Sequence, residues 1–301
     1  MRLEIVKMYF ESPLHIARGR ADYSSSQQRL HSDTLKSAIF SAARLLYGDD
    51  ILKGQTNTGS PFLEAFKVSS AFPFFGTEYF FPRPMLDLPA AGDADPKDRK
   101  KIRYIGKSLF EKLLRGDPFA VNKADLWQEN QFLSAQPLYP VTKKETPTLR
   151  EIRDFRLIYS EVFQHVMVPR EGGEDSETFY MERLRFVPGN GLFFIIEFDE
   201  KRFDDIRNTV ASALRLLGDE GLGSDRSTGN GHFRFDDFES LELLTPGVDA
   251  SHRINLSLFC PELSEFTPDL IKRGAYQLLR RGESILVTRA EERSEERRVG
   301  K

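Results

Sequence analysis

Two stretches of the chain run through the same order of elements, and that order limits the fold more than any single motif does. In the first, Arg2–Phe10 alternates apolar and charged residues and reads as a strand with Val6, Met8 and Phe10 on one side. A polar loop follows, Glu11–His31, rich in Arg, Ser and Gln; loops of that length in compact domains usually have a function. "SDTLKSAIFSAARLLYG" is then a helix with Leu35, Ile39, Ala42 and Leu46 on one face, Ser32 or Asp33 capping its start and Gly48 ending it. Strands are expected at Lys67–Phe75 and Glu78–Pro82. In the second stretch Leu192–Phe198, "LFFIIEF", has strand length, and Arg202–Gly218 is an amphipathic helix through Phe203, Ile206, Val210, Leu214 and Leu217. A glycine-rich loop follows, "HFRFDDF" alternates again, and Ser251–Cys260 reads as one more strand. Two β-α-β halves predict an α+β fold of two ferredoxin-like domains, a common scaffold for RNA binding. Fold alone does not assign function.

Between the halves, Pro118–Gly173 resists assignment. It carries Pro137, Pro140, Pro147 and Pro169, and its "TLREIRDFRLIYSEVFQHVMV" fits strands or a hairpin. Asp95–Gly116 is strongly basic. Ile102, Ile105, Leu109, Leu113 and Leu114 mark its core side, which leaves its cations for solvent, RNA or a partner subunit. The final "TRAEERSEERRVGK" has nearly alternating charge and no apolar period, so a solvated extension is expected.

Composition narrows the class. One cysteine in 301 residues, Cys260, excludes a disulfide framework and fits a reducing cytoplasm. The 25 phenylalanines call for many buried aromatic strands. "MRLEIVKMYF" is neither a signal peptide nor a membrane span, so no membrane partner is expected. A net charge of −3 argues against a free-standing nucleic-acid binder, yet a local basic face suits RNA bound inside an assembly.

The glycine-rich loop is Asp219–Phe235, "DEGLGSDRSTGNGHFRF". A Walker loop needs a lysine where Asn230 stands, four residues between its glycines rather than the five between Gly223 and Gly229, and a helix after it instead of before. A dinucleotide fingerprint would need glycine at Arg226. No nucleotide cofactor is expected. A helix cap uses one glycine, Gly221, and this loop has four. Repeated glycines let backbones approach closely and turn successive N–H groups toward phosphate oxygens. Arg226, Ser227 and Thr228 add a charge and two hydroxyls suited to a sugar-phosphate chain.

This loop, with the helix before it, resembles the RAMP superfamily of CRISPR proteins. "FESPLHIARG" followed by "LHSDTLKSAIFSA", then "FFPRPM", "KKIRYIGKSLFEKLL", "LSLFCPELSEF" and "AYQLLRRGES" are similar, in that order, to the fourth-subunit family of type III-A interference complexes. The resemblance implies two RRM-like domains. These are residues 1–185 with an inserted, projecting hairpin at about 141–181, and 186–288 with the glycine-rich loop; 289–301 is the charged tail. It implies a non-catalytic subunit that anchors the repeat-derived 5′ tag of the guide RNA. Its partners would be the large polymerase-cyclase subunit, a backbone RAMP subunit and target RNA next to the tag. The RNA-binding residues would be His15, Arg18, Arg20, His31, Ser32 and Thr34 around the first loop, and Gly221, Gly223, Arg226, Ser227, Thr228, Gly229 and Gly231 in the second. The family continues past "RRGESI" with another strand, where this chain enters its charged tail, so a shortened last domain is expected.

Two rivals stand beside that reading. A relative in the superfamily cleaves precursor guide RNA without metal, and His31 beside Asp33 would be its base. A purely bridging subunit would touch protein where RNA is expected. "YGDD" (Tyr47–Asp50) imitates a polymerase metal motif, but Gly48 at a helix end is a stop signal. His165, His232 and His252 have no partner at metal-ligand spacing, and no metal is expected.

Overall fold

β1 (Arg2–Phe10) lies inside the sheet and is buried on both faces: Val6 and Met8 enter one apolar cluster and Ile5 the other. The computed structural model describes residues 2–17, 23–53, 61–138, 156–168, 176–201, 205–245 and 253–262, together with 264, 265, 267, 268, 272 and 274–279. The chain divides into Met1–Phe266 and a short second unit, Thr267–Lys301. In the second unit Tyr276, Leu278 and Leu279 are exposed. The expected tail, 289–301, lies outside the described residues.

After β1 come α1 (Ser32–Tyr47), α2 (Pro61–Glu64), β2 (Phe66–Val68), β3 (Phe72–Phe75) and β4 (Glu78–Pro82). Next are α3 (Pro96–Lys101), β5 (Tyr104–Gly106), α4 (Lys107–Arg115), β6 (Leu126–Trp127) and β7 (Phe132–Leu133). The hairpin strands β8 (Ile158–Met167) and β9 (Glu177–Phe186) precede β10 (Asn190–Phe198), α5 (Ile206–Glu220), β11 (Phe233–Arg234) and β12 (Phe238–Glu242). This is an α+β fold around one large sheet.

Among the described residues ten strands share that sheet, in the order β11-β1-β10-β3-β4-β5-β7-β6, with β12 also on β1 and β2 also on β10. β1 and β10 run antiparallel in the middle, Val6 opposite Phe194. The family resemblance implies a division at 185/186. Strands from both sides of that point pair directly, and β1 and β10 each contribute side chains to both apolar clusters.

Two expected elements differ. Lys67–Phe75 is two strands, β2 and β3, because Ser69 turns its hydroxyl to the Ile195 N–H at 2.9 Å and Ser70 gives its N–H to Leu256 O at 2.8 Å. The strand expected at Ser251–Cys260 is absent from the described part, Arg253–Cys260. Ile254 and Leu256 lean on the core, but only isolated hydrogen bonds form, such as Leu258 N–H to Ser32 Oγ at 3.0 Å. The basic segment is helix–strand–helix. Its Arg99 is a staple, donating to the carbonyls of Pro89, Ala91, Gly92 and Ala94, while Lys101, Lys107 and Arg115 pair with Asp98, Glu111 and Asp117. Much of that positive charge is used at home.

α1 and α5 cover one face of the sheet. Leu35, Ile39 and Ala42 are buried as their spacing predicts, and so are Ile206, Val210, Leu214 and Leu217 of α5; Leu46, in the last turn of α1, is exposed. Phe203 lies outside the described residues.

The opposite face decides where RNA can go. In an RRM that face is open and its aromatics stack on bases. Here Ile5, Phe72, Phe74 and Phe193 are sealed against Phe80, Phe81, Phe110, Trp127 and Phe132 from the chain between β3 and β8. Among the described residues these packed rings leave that face of the large sheet without an open aromatic surface for stacking.

Candidate nucleic-acid interface

The chain leaves β1 and is stitched to the glycine-rich loop residue by residue. Glu11 donates its N–H to His232 O at 2.9 Å, and Ser12 Oγ accepts the His232 N–H at 2.8 Å. Pro13 O accepts the Gly231 N–H at 2.8 Å, and His15 O accepts the Ser224 N–H at 2.9 Å. The first loop and the glycine-rich loop are therefore adjacent, as two grips on one strand of RNA require.

The four glycines are of two kinds. A Cβ on Gly221 would stand 2.5 Å from Asn230 O, on Gly223 2.4 Å from His15 O, and on Gly231 1.9 Å from Leu222 O. All three have positive φ, and each lets one backbone pass against another. Gly229 also has positive φ, at 82°, but nothing lies within 4 Å of its missing Cβ. The expected row of phosphate-facing N–H groups is largely spent: Leu222 donates to Gly231 O, Ser224 to His15 O, Thr228 to Asp225 O, Gly229 to Arg226 O and Gly231 to Pro13 O. What the loop presents outward is the 3-10 turn Arg226–Thr228 and Gly229, all exposed. Among the described residues no carboxylate pairs with the Arg226 guanidinium. The Thr228 hydroxyl donates to Asp225 O at 3.0 Å and accepts from Asn230 Nδ2 at 2.7 Å, which fixes the turn.

The hairpin supplies residues that the sequence did not single out. Arg183 of β9 forms an ion pair with Asp225 at 2.5 Å, each side chain only 15% exposed, and Asn230 Nδ2 donates to the same carboxylate at 3.0 Å. Asp225 is held at φ 66°, directly before Arg226. Glu182 serves the first loop: its carbonyl accepts from His15 Nδ1 at 2.6 Å, its carboxylate accepts the Ser26 N–H at 2.5 Å, and its N–H donates to Tyr23 O at 3.1 Å. Leu184 and Leu14 exchange backbone hydrogen bonds at 2.8 Å. His15 is fully buried, so it orders this junction and its ring offers no surface for RNA to touch. The expected span of about 141–181 overlaps the hairpin, whose strands extend to Phe186; residues 139–155 and 169–175 lie outside the described residues.

The remaining sites fall apart from this junction or outside the description. Arg18 and Arg20 lie outside the described residues. His31, not Ser32 or Asp33, is the N-cap residue of α1; it is buried, and its carbonyl accepts the Leu35 N–H at 3.0 Å. Ser32 is buried between Ser70 and Leu258, its N–H donating to Ser70 Oγ at 3.2 Å, and Thr34 is exposed. Asp49 pairs with Arg44 and Asp50 with Lys53, so the polymerase-like tetrapeptide is a helix end braced by ion pairs. His165 stacks on Phe179, and His252 lies outside the described residues. No group of three potential metal ligands occurs among the described residues, and no described helix is long and apolar enough to cross a membrane.

Comparison with known proteins places this geometry. The family model of the RAMP superfamily matches residues 7–234. A Thermococcus onnurineus protein named CRISPR system Cms protein Csm4 is 25% identical over 261 residues, covering 83% of this chain and 76% of the relative. A Methanocaldococcus jannaschii protein of the same name is 23% identical over 253 residues, covering 77% of this chain and 65% of that relative, just under two thirds of its length. A crystal structure of the Csm3-Csm4 subcomplex in the type III-A CRISPR-Cas interference complex is similar with a TM-score of 0.53 at 20% identity, over 81% of this chain and 70% of that one, a likeness of fold.

Proposed function

The chain belongs to the RAMP superfamily, and from that membership we propose that it is the Csm4-type subunit of a cytoplasmic type III-A CRISPR complex, where it anchors the 5′ tag of the guide RNA. It acts there without catalysis and bridges the large polymerase-cyclase subunit to a backbone RAMP subunit, with target RNA beside the tag. The observation that carries RNA anchoring is the exposed Arg226–Gly229 turn, whose cation has no carboxylate partner among the described residues and whose Thr228 is held by Asp225 and Asn230. A prepositioned guanidinium with flanking hydroxyls suits phosphate and sugar, whereas the covered sheet suits neither. Arg18, Arg20 and Thr34 complete the grip in this reading.

The same reading gives the two RRM-like modules a different division. The four strands β1, β2/β3, β10 and β11/β12, with α1 and α5, stand in the order fourth-first-third-second of a ferredoxin-like unit. The second module is then the chain that covers its other face, from β4 to β7. The metal-free endoribonuclease reading has less support, since His31 is buried at a helix start. The bridging reading is favoured by one observation, that the glycines serve the chain's own packing.

Arg226→Ala separates the two. Anchoring predicts weaker guide-RNA binding and a log–log salt slope shallower by about 0.7, one phosphate on a single strand. Titration of the complex with tag-bearing RNA at several salt concentrations measures it, and an unchanged slope removes Arg226 from the interface.

A further inference from the structure

The hairpin β8–β9 forms its own two-stranded sheet, and its outer part is exposed at Val162, Val166, Met167 and Tyr180. The root of β8 is fixed to the body by Gln128, whose Oε1 accepts from Leu157 and Ile158 N–H and whose Nε2 donates to Ile158 O. The root of β9 is fixed differently. Three consecutive residues each reach a loop of the candidate interface: Glu182 holds His15, Tyr23 and Ser26, Arg183 holds Asp225, and Leu184 holds Leu14. The Arg183 guanidinium also lies over the Phe163 ring of β8, 5.3 Å from its centroid. One side chain therefore touches both hairpin strands and the residue before Arg226.

We propose that Glu182, Arg183 and Leu184 are a clamp joining the hairpin and both RNA-facing loops into one mechanical unit, so that guide RNA held on the loops orders the hairpin. This rests on the RNA-anchoring reading above. The link is stiff for a physical reason: separating a mostly buried ion pair leaves an uncompensated charge, so Asp225 and Arg183 move together or not at all. A ligand that narrows the positions of the Arg226 turn narrows those of β9 through the Asp225–Arg183 pair. Arg183 is a positioning residue here and touches no RNA.

The test is hydrogen exchange on the chain co-expressed with its complex partners, with and without guide RNA carrying the 5′ tag. The clamp predicts that exchange in 158–167 and 177–186 slows roughly tenfold on RNA binding, within the ordinary range of coupling between sites. The double variant Arg183→Met with Asp225→Asn removes both charges together, so neither is stranded; it should bind the RNA but lose most of that slowing. The exchanged pair Arg183→Asp with Asp225→Arg should restore it. Unchanged hairpin exchange in the natural protein with RNA demonstrably bound overturns the clamp and leaves anchoring standing. Full slowing in the double variant also overturns it. Failure of the natural complex to bind tag RNA overturns both.

Discussion

Gly231→Ala lowers the stability of the chain by roughly 4 kcal/mol, whereas Gly229→Ala costs about 1–2 kcal/mol. Both positions have positive φ, 79° and 82°, so the left-handed penalty is common to the two. They differ in surroundings. A methyl on Gly231 would stand 1.9 Å from Leu222 O and under 3 Å from Leu222 N and C, and backbone cannot rotate away as a side-chain tip can. Leu222 also donates to Gly231 O at 2.9 Å, so relieving the clash breaks that bond and strains the Pro13 contact beside it. The methyl on Gly229 meets nothing within 4 Å. The contrast also has a functional reading. If a glycine in this loop exists to admit an RNA backbone, it is Gly229, and Gly229→Ala should weaken RNA binding far more than its small stability cost implies. Denaturant unfolding of the two variants, with RNA titration of the second, checks both parts; equal stabilities would mean that the close approach at Gly231 is wrong.

Glu78→Gln makes the chain more stable than the natural protein at pH 8 by about 3 kcal/mol and leaves the two nearly equal near pH 4. Glu78 is 6% exposed, its Oε1 has no hydrogen-bond partner among the described residues, and a side chain on Gly106 would run into that oxygen. Burial raises its carboxyl from the ordinary 4.5 to about 7, opposed by the Lys107 amide and ammonium and assisted by the Glu111 carboxylate. The folded state therefore holds a proton that the unfolded chain gives up above 4.5. Stability is full below that pH, falls as pH rises toward 7, and levels off beyond it. Glutamine is neutral throughout and removes the slope. Unfolding curves of both proteins from pH 4 to 8 test this, and parallel profiles would show that Glu78 ionises as freely as an exposed carboxylate.

Where a segment's own period matched its burial, the sequence was enough. β1, β10 and α5 follow from alternation, a short apolar run and helical spacing, and Gly48 ends α1 with φ 84°. Ile102, Ile105 and Leu109 are buried, as their reading as a core side predicts. Ile105 sits in β5, and Gly106 separates that strand from α4. Arg253–Cys260 alternates like a strand but has none beside it to complete a ladder. The sharing of one sheet by β1 and β10 was out of reach for a local reading, because partners nearly two hundred residues apart leave no mark in either segment.

The site was legible as a place and less so as a mechanism. Four glycines mark close backbone approach, and the first loop does lie against them. The approach is protein on protein at three of them, which composition cannot distinguish from protein on phosphate. Asp225 and Arg183 are 42 residues apart, and His15 is 167 residues from Glu182. Each reads alone as an ordinary polar residue, and only the fold brings them together beside the Arg226–Gly229 turn.

In the proposed function the Arg226–Gly229 turn holds the guide-RNA tag. The most direct measurement is crosslinking of the complex, assembled by co-expression with a CRISPR array, followed by identification of the RNA and peptides joined. The expected result is a uniform repeat-derived 5′ tag joined to peptides spanning 221–231 and the first loop. Crosslinks confined to other surfaces, with these peptides free of RNA, would contradict it and leave the glycines as packing within a bridging subunit.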